Sequence, residues 1–80
     1  MGQINPLAIL GEVVVLLADV PDITAGFYMV DEVSEGWTVL RPVIDDEAAD
    51  TLYIRDERIR LPIKALDLFM PVGINLMVPT

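Results

Sequence analysis

The chain has 80 residues and no cysteine, so it has room for one domain and neither a disulfide nor a thiolate metal site to stabilise it. Thirteen acidic against five basic residues give a net charge of −8, a field that repels phosphate backbones and argues against direct binding to DNA or RNA. Apolar residues make up 54% of the chain, yet no apolar run approaches the ~20 residues of a membrane-spanning helix, and the longest, Pro6 to Ala18, is broken by Glu12. That stretch also lacks a basic leader and a cleavage site, so the expected address is cytoplasmic, with no membrane partner.

In chain order, Asn5-Pro6-Leu7-Ala8-Ile9-Leu10-Gly11 carries the start and stop residues of one short helical turn, Pro near its beginning and Gly just past its end. Residues 1–10 are accordingly read as an N-terminal arm. Val13 to Ala18 is a β-branched apolar run too short for a helix and bounded by Gly11 and Pro21, which predicts a buried first strand over 12–18. Asp19 to Gly26 is a long loop in which Pro21 cannot donate to a ladder, and the second strand follows over 28–33. Ser34-Glu35-Gly36 predicts a three-residue hairpin loop with Gly36 at positive φ, and Trp37 opens a third strand over 37–43 in which Pro42 marks an edge or bulge.

The acidic stretch Asp45 to Asp50 reads as a solvated loop. Short strands are predicted over 51–55 and 58–61. Their apolar positions change parity between Ile54 and Ile59, so one straight strand cannot place both sets on one face, and a turn or bulge is expected at Arg55-Asp56-Glu57. Outside it, Arg58 and Arg60 face water. Leu61 to Leu68 should run through one 3₁₀ or helical turn into a last strand over 66–71. Residues 72–80 form an apolar C-terminal tail. The expected core is Val13, Val15, Leu17, Val30, Val39, Leu52, Ile54, Ile59, Leu61 and Leu66.

Five or six short strands, a long first loop and a 3₁₀ turn before the final strand resemble an all-β, SH3-like barrel. The opening V-V-V-L-L-A-D-V-P, with Ala25-Gly26 further on, resembles a family of short uncharacterised bacterial SH3-like domains over residues 11–71. Tyr28 and Met29 stand where that family has a second loop glycine, and the family implies no activity, cofactor or catalytic residue.

The residues themselves are equally sparing. With no His and no Cys, only Ser34, Lys64, Tyr28, Tyr53 and the carboxylates are available for catalysis, and none has a partner nearby in sequence, so no enzymatic activity and no cofactor is expected. Asp45, Asp46, Glu47 and Asp50 supply hard oxygen ligands for a divalent cation but lack the spacing of a calcium loop. Phe27, Tyr28, Trp37 and Tyr53 include aromatics of a polyproline groove without its tandem cluster. The expected function is therefore a protein-interaction or assembly module. Its contacts would be made by Trp37, Phe69 and the tail residues Ile74, Leu76, Met77 and Val78, and its first partner would be a second copy, in a dimer that exchanges tails. The alternatives are an acidic inhibitor that imitates nucleic acid and blocks a basic partner, through Asp31, Glu32, Glu35, Asp45, Asp46, Glu47 and Asp50, and a cation-binding protein.

Overall fold

The structure is a computed structural model and describes residues 9–76. Six strands form one sheet: β1 (Glu12–Leu16), β2 (Gly26–Ser34), β3 (Trp37–Asp46), β4 (Thr51–Ile54), β5 (Ile59–Pro62) and β6 (Met70–Asn75), with a 3₁₀ helix over Ile63–Leu68. Every pairing is antiparallel, in the order β4-β3-β2-β1-β6, and β5 shares with β4 the outer edge of β3. The sheet curls into a half-barrel with the 3₁₀ helix before the last strand, so the fold is all-β as expected. The expected helical turn over residues 5–11 and the tail residues Met77 and Val78 fall wholly or partly outside the described residues.

The hairpin of β2 and β3 is tighter than the three-residue loop read from the sequence. Ser34 pairs with Trp37, leaving Glu35-Gly36 as a two-residue turn with Gly36 at φ 86°. Further along, the register shifts between Val30 and Glu32. Asp31 is the extra residue of this bulge. Thr38, the buried polar side chain of the core, donates its hydroxyl to the Glu32 carbonyl at 2.8 Å.

Pro42 has a consequence across the other edge of β3. Its carbonyl accepts from the Arg55 amide at 2.9 Å, and a strand residue directs its N–H to the same side as its C=O, so the donor that Pro42 lacks is the one the Arg55 carbonyl would have met. The Arg41 side chain supplies it, Nε donating to that carbonyl at 2.8 Å. Here the β4 ladder stops. β5 resumes it with Ile59 opposite Leu40, after Arg55 to Arg58 have looped out.

Side chains of paired residues share a face of the sheet. One face carries Val14, Leu16, Tyr28, Val30 and Leu40, and is closed by Ile23 from the first loop and by Leu66 and Phe69, with Ile59, Leu61 and Ile63 packed around them. Tyr28 and Phe69 meet edge to face, their ring centres 5.8 Å apart. The opposite face carries Val13, Val15, Phe27, Met29, Val43, Leu52 and Ile54, among which Val13, Met29 and Val43 are buried. The opposite face thus also bears an apolar patch, with Arg41 beside Met29 and Asp45 beside Leu52.

Several expectations are corrected by this arrangement. Val13 is buried as expected, but on the face opposite the main cluster, which Val14 and Leu16 enter; Val15 is only half-buried on that opposite face, and Leu17 lies beyond the strand, 72% exposed. A run of E-V-V-V-L-L has no polar residue to say which parity points inward. Leu52 and Ile54 are on the opposite face from Ile59 and Leu61, because the change of parity between them is a change of face that the loop does not reverse. Nor does the last strand begin at residue 66. Leu66 is a fully buried residue of the 3₁₀ helix, and β6 starts at Met70. Val72–Asn75 extend β6 beyond residue 71, and Asn75 pairs with Glu12 of β1 in the same chain. Leu76 N donates to the Gly11 carbonyl at 2.8 Å and Asn75 Nδ2 to the Leu10 carbonyl at 2.9 Å. Exchange with a second copy is thus not required to pair this part of the tail.

Burial pushes the Tyr28 hydroxyl above its ordinary value, with the carboxylates of Asp19 and Glu57 adding to it, and the phenol donates to the Thr24 carbonyl. Tyr28 stabilises the fold fully below pH 10.0, the ordinary value, and that contribution is lost as pH rises through the higher folded value. Urea titrations across alkaline pH should show this decline in the native chain and a weaker one in Tyr28→Phe, which at neutral pH should lose about 0.5–1.5 kcal/mol. A parallel pair of variants checks the placement of the 3₁₀ helix. Leu66→Ala should cost about 2–5 kcal/mol, whereas Leu68→Ala, at a residue 54% exposed, should stay within about 0.5 kcal/mol; equal losses would contradict the packing.

Candidate interaction surface

The apolar face opposite the core is indented. Val13 from β1, Phe27 from β2, Val43 and Asp45 from β3, Leu52 from β4, and Val72 and Ile74 from β6 line a hollow of about 240 Å³. Its walls are exposed, with Phe27, Leu52 and Ile74 each more than 40% accessible, while Val13 and Val43 are buried in its floor. Leu52 faces it because Asp45 pairs with Leu52 and Val43 with Ile54. Ile74 reaches it by alternation along β6 from Pro71, past a bulge against β1 in which Glu12 pairs with Asn75 and Val14 with Pro71. Gly73, at φ 86°, takes the positive φ within that bulge.

Of the residues expected to make contacts, Ile74 lines this hollow and Leu76 is partly exposed just past β6. Phe69 does not belong with them. It is 4% exposed and packs on Tyr28 in the core, so its ring has no surface to offer. Trp37 is half-buried at the far end of β3, where the Arg60 guanidinium lies 4.2 Å from its ring centre. It is separate from the hollow. Phe27, named above only as an aromatic of a polyproline groove, completes the hollow with Leu52 and Val72; the signal for these residues is the apolar run of β1 and the parity change after Ile54, which together call for a second apolar face.

Several carboxylates are engaged by neighbouring groups. Asp31 bridges Arg41, at 4.0 Å, and Arg58, at 3.2 Å, while Asp56 pairs with Arg41 at 3.2 Å and Glu57 with Arg55 at 2.7 Å. Asp46 turns its Oδ1 to the Ala49 amide at 3.2 Å within the acidic loop. Among the described residues no three carboxylates converge in a way that would hold a metal ion. No described helix is long and apolar enough to cross a membrane.

The free edges of the sheet are unsuited to adding a strand. β6 carries Pro71 and the bulge at Gly73, β5 ends in Pro62 beside Arg60, and β4 is four residues long. Short strands, prolines, charges and bulges are the features that discourage edge pairing.

No family model, no curated protein and no solved structure matches this chain.

Trp37 is the single tryptophan, so its environment can be read directly. Arg60→Ala should change its fluorescence and lower stability by about 0.5–1 kcal/mol, while Arg55→Ala should leave the emission unaltered; an unchanged spectrum in Arg60→Ala would mean that the guanidinium does not sit on the indole in solution.

Proposed function

We propose that the protein is a non-enzymatic protein-interaction module that docks a partner through the apolar hollow on the face opposite its core. The observation that carries this reading is the second apolar face itself. An isolated sheet of this kind needs one apolar face to fold, and the other is ordinarily polar where it meets water. Here Phe27, Leu52 and Ile74 stand exposed around a buried apolar floor. Contiguous exposed apolar surface of this sort marks interaction sites. The blunted edges direct contact to the face and away from strand addition. The likeness to short bacterial SH3-like domains, carried by the opening strand and its loop, is compatible with this role and adds no activity to it.

The test is site-specific photo-cross-linking in the cells that make the protein. A photoreactive benzoylphenylalanine placed at Leu52 should yield a discrete adduct, and the same group placed at Lys64, exposed on the 3₁₀ helix, should not. An adduct of twice the chain mass would identify a second copy as partner, and any other mass a different protein. Equal labelling from both positions, or none from Leu52, would contradict the proposed docking face.

A further inference from the structure

We infer that the hollow accepts a segment of a partner protein in which a large apolar side chain stands beside a lysine or arginine, the apolar group entering the hollow and the cation meeting Asp45. This deepens the reading above and rests on it.

The lining has a single polar member. Six of its seven residues are apolar, and the seventh is Asp45. The Asp45 side chain is exposed and among the described residues makes no hydrogen bond or ion pair, as is also true of Glu47 and Asp50 in the adjoining turn, but Asp45 is the one among them that lines the hollow. The described arginines are committed elsewhere: Arg41, Arg55 and Arg58 to other carboxylates, and Arg60 to Trp37. An unengaged carboxylate at the edge of an apolar hollow is complementary to a cation whose neighbour, or whose own aliphatic stem, lies on the apolar surface.

Size narrows the class further. At about 240 Å³ the hollow is below the roughly 300–1,000 Å³ that encloses a small organic ligand, so a side chain anchored from outside suits it better than a free cofactor. Charge narrows it again. A second copy would bring another −8 towards the first, and anionic lipid or nucleic acid would be repelled in the same way, whereas a basic segment would be attracted. The acids after Asp45, namely Asp46, Glu47 and Asp50, lie in the adjoining β3–β4 turn and extend that field.

The experiment is an NMR titration of the full chain with three short blocked peptides, in which leucine and phenylalanine alternate with lysine, with serine or with glutamate. The lysine peptide should shift the resonances of Val13, Phe27, Leu52 and Ile74 and bind more tightly than the other two. Asp45→Asn should weaken it about two- to fivefold, the size of an exposed charge pair, and leave the serine peptide unchanged. Leu52→Ser should weaken the lysine and serine peptides alike, by about tenfold. If all three peptides shift the hollow with equal affinity, or if Asp45→Asn has no effect, cation recognition is wrong while the docking face stands. Lysine-peptide shifts confined to the acidic turn would mean undirected attraction and would likewise overturn the inference. Shifts of the hollow on concentrating the protein alone would make a second copy the occupant. If no peptide touches the hollow, the docking face fails with it.

Discussion

Everything in this fold hangs on β1 being flanked on both sides. It pairs with β2 through Val13 to Leu16 and with β6 through Glu12 to Val15, so a strand of five residues holds the beginning and the end of the described chain together. Its side chains serve both faces. Val14 and Leu16 reach the core cluster, and Val13 reaches the floor of the hollow. A strand used in this way must be apolar at successive positions, which is why V-V-V-L has no alternation. The sequence feature that marks β1 as central is also what prevents its two faces from being told apart.

The legible parts of the fold are those whose signals are local. Gly36 marks the hairpin turn, Arg60 marks the solvent side of β5, and Leu61 to Leu68 contains the 3₁₀ helix at its anticipated place. What escapes is non-local. β6 carries Pro71 and Gly73, residues that weaken any strand propensity, and becomes a strand because β1 offers it a free edge. Phe69 and Ile74 are both apolar residues near the end of the chain. One enters the core and the other a surface hollow, and the difference is set by Phe69 packing on the core side before β6 begins, while alternation along β6 from Pro71 puts Ile74 on the other face.

The hollow illustrates the same limit for the site. Its lining is drawn from β1, β2, β3, β4 and β6, and no short window of sequence contains more than two of its residues. The register that assembles them is fixed by the pairing of Val43 with Ile54 and of Phe27 with Val43. Asp45 was visible only as one of several acids in a loop. Its distinction lies in the structure, where it alone of the acids in that stretch lines the apolar hollow.

The bond from Asn75 to Leu10 joins residues 65 apart in sequence, whereas Ser34 and Trp37 meet across two. Loop closure costs more chain entropy as the intervening segment lengthens, and non-local pairing slows folding. During synthesis, the β2–β3 hairpin can therefore form while β6 is still unmade, and β1 waits beside it with one edge bare and with Val14 and Leu16 lacking the cover of Leu66 and Phe69. The interval between those two events is when a nascent chain of this design depends most on its charge to stay apart from its neighbours.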